Sequence, residues 1–101
     1  MKINVTLQNL TSFTNLEIDD KKNEAILNGK KIELDIPPFA SRLLTIISSW
    51  EEKMVNYFII DGESYSVKVE KDGKVYEYEG RNKFPKNYRD FINLLKSNGI
   101  C

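Results

Sequence analysis

Residues 64–85 have the sequence SYSVKVEKDGKVYEYEGRNKFP, and this stretch predicts a two-stranded antiparallel hairpin. Its central dipeptide, Asp72-Gly73, favours a type I′ turn, because that turn needs a positive φ at both central positions. Folding about this dipeptide fixes the register of the two strands. The predicted pairs are Lys71 with Lys74, Val69 with Tyr76, Lys68 with Glu77, Val67 with Tyr78 and Tyr65 with Gly80.

The two faces of this hairpin differ in chemistry, because side chains alternate between the faces of a strand. One face is apolar and carries Tyr65, Val67, Val69, Tyr76 and Tyr78. The other face is polar and carries Ser66, Lys68, Glu70, Glu77 and Glu79. We therefore expect a half-buried ribbon whose charged side faces solvent.

Four further strands are predicted in the first third of the chain, where apolar and polar residues alternate. A charged turn over residues 19–23 would pair Ile18 with Ala25. The next turn signal, Asn28-Gly29, leaves two registers open. A strict two-residue turn puts Glu24 opposite Glu33, so we favour a longer loop through residue 31 that pairs Ala25 with Leu34.

Two amphipathic helices are predicted after this meander. The first starts near Pro37-Pro38, and its apolar stripe consists of Phe39, Leu43, Ile46, Ile47, Trp50 and Met54. Trp50 is expected in the core, with an exposed interaction hot spot as the alternative. The second helix is predicted from Pro85 to Asn98, with a Gly99 cap.

The expected fold class is α+β, with residues 1–101 forming a single domain. An antiparallel sheet of about six strands carries the two amphipathic helices on one face, in the order ββββ-α-ββ-α. Residues 56–62 are predicted as either a short strand or a loop. Whether the helices fully cover the aromatic face of the hairpin is a second open point.

Composition excludes several classes of site. The chain has fifteen basic and fifteen acidic residues, which makes a dedicated nucleic-acid binder unlikely. It has no histidine, so the commonest general base and the usual zinc ligands are missing. Its lone Cys101 has no partner for an internal disulfide. We expect no catalytic residues, no cofactor and no metal site, and hence no enzyme.

Cellular location is predicted from two absences in the sequence. The first residues lack the apolar core of a signal peptide, and no apolar run approaches the length of a membrane span. We therefore expect a cytoplasmic protein that does not interact with a membrane.

Three segments resemble a set of short proteins from low-GC Gram-positive bacteria and their prophages. They are residues 44–50 (LTIISSW), residues 60–65 (IDGESY) and residues 78–88 (YEGRNKFPKNY). Proteins of this size and style are similar to immunity proteins encoded beside secreted toxins. The resemblance implies a small bacterial protein that neutralises a partner by binding it.

The functional hypothesis is accordingly a protein-binding module, with a protein as its partner and an unknown oligomeric state. The predicted partner-binding residues are Lys68, Glu70, Glu77, Glu79, Arg81 and Lys83. Arg81 and Lys83 lie in a strand-to-helix junction, where a helix N-terminus favours anions. The alternative is a phage or mobile-element protein that counters host defence by binding a small ligand or nucleic acid. For nucleic acid, Tyr65, Tyr76 and Tyr78 could form a stacking platform if no helix covers that face.

Overall fold

A computed structural model describes residues 1–9, 11–50, 53–55, 63–81 and 84–101, with only the backbone described for residues 53–55. Seven strands and two helices make up the described chain. The strands are β1 (Lys2–Gln8), β2 (Phe13–Asp19), β3 (Glu24–Leu27), β4 (Lys30–Ile32), β5 (Lys53–Val55), β6 (Ser64–Lys71) and β7 (Lys74–Arg81). The helices are α1 (Ile36–Ile47) and α2 (Tyr88–Ser97).

The strands form one sheet in the order β4-β3-β2-β1-β6-β7-β5. The predicted α+β fold class and the order ββββ-α-ββ-α are confirmed, and six strands pair antiparallel in the sheet, with both helices on one of its faces. One short strand, β5, was not predicted and pairs in parallel with the end of β7. Residues 56–62, which were predicted as either a strand or a loop, lie outside the described residues.

The β6–β7 hairpin has the predicted register. Val69 lies opposite Tyr76, Lys68 opposite Glu77 and Tyr65 opposite Gly80. Its turn residues, Asp72 and Gly73, have φ values of 54° and 76°, which is the left-handed backbone that a type I′ turn requires.

The β3–β4 turn differs from the favoured prediction. Ala25 pairs with Ile32, as a strict two-residue turn demands, and not with Leu34. Asn28 and Gly29 have φ values of 48° and 83°, so the turn chemistry prevails. Glu24 and Glu33 do not form a cross-strand pair, because β4 ends at Ile32, before Glu33.

The core lies on one face of the sheet, beneath both helices. The sheet contributes Ile3, Val5, Leu16, Ile18, Ala25, Tyr65, Val67 and Val69, and the helices contribute Ile36, Phe39, Ala40, Leu43, Ile47, Phe91, Leu94 and Leu95. Because these sheet residues alternate with polar ones, the opposite face of the sheet carries the polar set. Trp50 is also buried in this core, as predicted.

Helix α1 is shorter than its apolar periodicity predicts. It ends at Ile47, so Trp50 lies beyond the helix and Met54 belongs to β5. The hydroxyl of Ser48 donates to the Thr45 carbonyl at 2.7 Å. Such serine-to-carbonyl bonds compete with the helical ladder and favour its end.

Helix α2 begins at Tyr88, three residues after the predicted Pro85. Residues 85–88 form a turn instead, in which the Tyr88 amide donates to the Pro85 carbonyl at 3.1 Å. The predicted cap is confirmed, because Gly99 has a φ of 73°. The Ile100 amide then bonds the Leu95 carbonyl at 2.9 Å, as in a Schellman motif.

Candidate protein-binding face

The sheet face opposite the helices, here called the open face, displays side chains in rows across the strands. One row runs through paired residues of six strands, in the order Lys31, Ile26, Glu17, Asn4, Lys68 and Glu77. A second row runs in the order Glu24, Asp19, Lys2, Glu70 and Val75. Residues of both charges and neutral residues therefore lie side by side across these strands.

Five of the six predicted partner-binding residues lie on the open face. Lys68 and Glu70 belong to β6, while Glu77, Glu79 and Arg81 belong to β7, and all five are exposed. Lys83, the sixth, lies outside the described residues. The structure thus brings the five described residues together on two adjacent strands.

One cross-strand ion pair lies within this group. Lys68 Nζ is 4.0 Å from Glu77 Oε1, and both side chains are largely exposed. Such an exposed pair contributes at most about 1 kcal/mol to stability. These charges are therefore available for contact with another molecule at little cost to the fold.

Half of the open face was not predicted, because it depends on β1 lying beside β6. Lys2 pairs with Glu70, and Asn4 pairs with Lys68. Together with residues of β2 and β3 they surround a shallow depression of about 310 Å³. Glu17 and Ile26 contribute to its lining, so the depression combines both charges with an apolar patch.

The middle of the open face is held by side-chain amides. Asn4 Nδ2 donates to Asn15 Oδ1 at 3.0 Å, and Asn28 Oδ1 accepts from the Asn15 amide at 2.7 Å. These hydrogen bonds connect β1, β2 and the β3–β4 turn. The surface between the charges is consequently fixed in shape.

The aromatic face of the hairpin does not form a stacking platform. Tyr65 is only 2% exposed, and its ring lies 5.1 Å from that of Trp50 and 5.3 Å from that of Tyr88. Tyr78 is half-buried, 6.5 Å from Trp50. Tyr76 alone is substantially exposed. The helices and Trp50 cover the tyrosines that would have stacked on bases.

Asn87 fixes the aromatic cluster to both helices. The Trp50 indole donates to Asn87 Oδ1 at 2.6 Å, and Asn87 Nδ2 donates to the Ile46 carbonyl at 2.9 Å. One amide thus satisfies the buried indole donor and bonds a carbonyl at the end of α1.

The junction after β7 differs from the predicted anion site. Because α2 begins only at Tyr88, its N-terminus does not follow directly on Arg81. Phe84 stacks on Tyr88 with ring centroids 4.5 Å apart. Arg81 instead extends the open face.

Two side chains on the helix side of the sheet have raised pKa values. Burial among the rings raises the pKa of the Tyr88 phenol, and the Glu63 carboxylate raises it further. Partial desolvation raises the pKa of the Cys101 thiol, although Lys96 opposes this. A raised thiol pKa lowers the thiolate fraction that a nucleophile needs.

Neither a metal site nor a membrane-spanning helix is found among the described residues. No three histidine, cysteine or carboxylate side chains within it are grouped so that they could hold a metal ion. Neither α1 nor α2 has the length and apolarity needed to cross a bilayer.

Comparisons of the chain with family models, with curated proteins and with solved structures found no match.

Proposed function

We propose that this protein is a small protein-binding module, and that the open face binds the partner. The observation that supports this is the placement of both helices on one side of the sheet, which leaves the other side exposed. On that side Lys68, Glu70, Glu77, Glu79 and Arg81 are exposed together on β6 and β7.

The size of the surface is sufficient for such a role. A standard protein–protein interface covers about 800 Å² on each partner. The whole chain exposes 6904 Å², so one interface of that kind would take about one-ninth of it. A surface that carries both charges favours specificity, because a wrongly matched partner places like charges together.

The partner we propose is a toxin that the protein neutralises by direct binding in the bacterial cytoplasm. This part of the proposal is supported by the resemblance of residues 44–50, 60–65 and 78–88 to small immunity-protein-like chains. Neutralisation by binding needs no catalytic group, in keeping with a chain that has no histidine.

Charge reversal on the open face tests the proposal. Lys68→Glu places two carboxylates opposite each other, which weakens the strand pair by about 0.2–1 kcal/mol. Adding Glu77→Lys restores the cross-strand pair with its charges exchanged. We expect the double variant to unfold at the wild-type denaturant concentration, yet to bind the partner at least about tenfold more weakly.

The assay begins with affinity purification from cells of the source organism after cross-linking. Titration calorimetry then compares the recovered partner's affinity for the wild type and the variants. Arg42→Glu is the matched control, since it reverses one exposed charge on α1. Recovery of no stoichiometric protein, or equal affinity of the double variant, would contradict the proposal. If the recovered partner does not kill cells that lack this protein, the proposal that the partner is a toxin is contradicted.

A further inference from the structure

The outer edge of β7 is only partly paired. Strand β5 pairs with the last three residues of β7, from Glu79 to Arg81. Within the described part of the chain no strand lies beside residues 74–78. Among the described residues, five consecutive residues of β7 therefore have no strand beside their outer edge.

The register shows which backbone groups point out of this edge. In a hairpin with a two-residue turn, the residues that flank the turn form a hydrogen-bonded pair, and bonded pairs then alternate along the ribbon. Lys74, Tyr76 and Tyr78 consequently bond to β6. The N–H and C=O groups of Val75 and Glu77 point away from β6, and no strand among the described residues pairs with these two donors and two acceptors.

This edge has fewer features that prevent strand pairing than the opposite edge of the sheet has. Solvated edges are normally short, or carry proline, bulges or several lysines. The opposite edge follows that rule, because β4 has three residues, two of which are lysines. Residues 74–78 instead have the sequence KVYEY, with Val75 53% and Tyr76 45% exposed.

The side chains around the edge define what an added strand must carry. Val75 and Glu77 lie on the open face, and Tyr76 lies on the helix face. The Glu77 side chain is 69% exposed despite its contact with Lys68, and Glu70 lies opposite Val75 on the neighbouring strand. A basic residue opposite Glu77 and apolar residues opposite Val75 and Tyr76 would match this edge.

We propose that the partner adds an extended segment to the β7 edge over residues 74–78. The segment carries a basic residue opposite Glu77 and apolar residues opposite Val75 and Tyr76. Its main chain bonds Val75 and Glu77, which gives affinity, and its side chains give specificity. This inference rests on the proposed function, because it assumes a protein partner, and it places the rest of that partner beside the open face.

A synthetic probe tests the edge without the natural partner. The capped peptide Ser-Thr-Lys-Val-Val-Thr-Ser supplies lysine opposite Glu77 when it pairs antiparallel, and the peptide with glutamate in place of lysine is its control. We expect the lysine peptide to shift the NMR amide signals of Val75 and Glu77 in a saturable way. The glutamate peptide should bind at least about tenfold more weakly, and the exchanged variant Lys68→Glu/Glu77→Lys should reverse this preference.

Val75→Pro removes one outward N–H, and the hairpin loses no internal hydrogen bond, because that N–H points to the edge. Val75→Thr is the matched control, since it keeps the N–H and the β-branched shape. We expect Val75→Pro to weaken peptide binding at least about tenfold relative to Val75→Thr, with the hairpin signals otherwise retained. Equal binding by the two variants, or peptide shifts confined to β4 or to the middle of the open face, would overturn the inference.

The natural partner separates this inference from the proposed function. A partner that is lost with the exchanged Lys68/Glu77 variant but retained by Val75→Pro overturns edge pairing and leaves the proposed function standing. Loss of the partner with Val75→Pro, but not with Val75→Thr, supports edge pairing.

Discussion

At the scale of single residues, Gly80 is the position where the packing tolerates no side chain. A Cβ atom built on Gly80 would lie 2.6 Å from Cζ and 2.7 Å from Oη of Tyr65. The Tyr65 ring is itself held by Trp50, at a centroid distance of 5.1 Å. The bare backbone of Gly80 therefore forms part of the pocket for the ring.

We expect Gly80→Ala to lower the free energy of unfolding by about 1–3 kcal/mol, because the ring has no room to move away. Urea denaturation followed by tryptophan fluorescence measures this loss. In a Tyr65→Leu background the same substitution should cost much less, because the clashing atoms are gone. Equal losses in the two backgrounds would show that the contact with the ring is not the cause.

Tyr88 makes stability sensitive to alkaline pH, because its raised pKa keeps the phenol neutral in the folded chain. Below the ordinary tyrosine pKa of about 10 both states are protonated and Tyr88 has no effect. Above it the unfolded chain loses the proton first, so the free energy of unfolding falls as pH rises. The slope is below about 1.4 kcal/mol per pH unit, because the half-buried phenol is partly screened by solvent.

Denaturation of the wild type and of Tyr88→Phe between about pH 8 and about pH 11 isolates this contribution. The wild type should lose stability relative to Tyr88→Phe only above about pH 10. A difference that stays constant over the whole range would contradict the assignment.

At the scale of elements, the turns were the most predictable part of the fold. Asp72-Gly73 and Asn28-Gly29 specify their turns through local backbone conformation, which a sequence shows directly. The prediction of a longer β3–β4 loop was wrong. It assumed that repulsion between Glu24 and Glu33 would outweigh the preference of Asn28-Gly29 for a two-residue turn. The repulsion was absent because β4 ends before Glu33.

The helix ends were less predictable, because tertiary contacts decide them. The apolar spacing of Ile47, Trp50 and Met54 continues although the helix ends at Ile47. Trp50 is buried in the core without being part of the helix. Asn87 lies directly before α2, and its side-chain amide bonds Trp50 and the Ile46 carbonyl. Neither event leaves a periodic pattern in the sequence.

The Asn87 amide gives a test at this scale, since it connects α1, Trp50 and α2. We expect Asn87→Ala to cost about 1–3 kcal/mol, because the buried indole N–H loses its acceptor. Asn87→Asp keeps the acceptor but loses the bond to Ile46, and should cost less than Asn87→Ala. The matched control, Asn93→Ala, changes an exposed asparagine of α2 and should be nearly neutral. Chemical denaturation of the three variants is the measurement, and a neutral Asn87→Ala would refute the role.

At the scale of the whole molecule, half of the open face could be predicted and half could not. Strict alternation in the hairpin placed Lys68, Glu70, Glu77 and Glu79 on one side. The neighbouring Lys2 and Glu17 depend on the pairing of β1 with β6, which lie roughly sixty residues apart in the chain. No local signal specifies such a pairing, because the two strands are distant in the chain and pair directly only once the sheet has formed.

The central position of β1 has a consequence for the order in which the protein folds. The meander from β1 to β4 is complete once residue 32 has left the ribosome, but β1 remains an unpaired edge until β6 follows. Closing a contact across so many residues is slow compared with forming either hairpin. The nascent chain therefore spends about a third of its synthesis with the outer edge of β1 unpaired, and during that interval chaperone binding or a second nascent chain competes with β6 for the same strand.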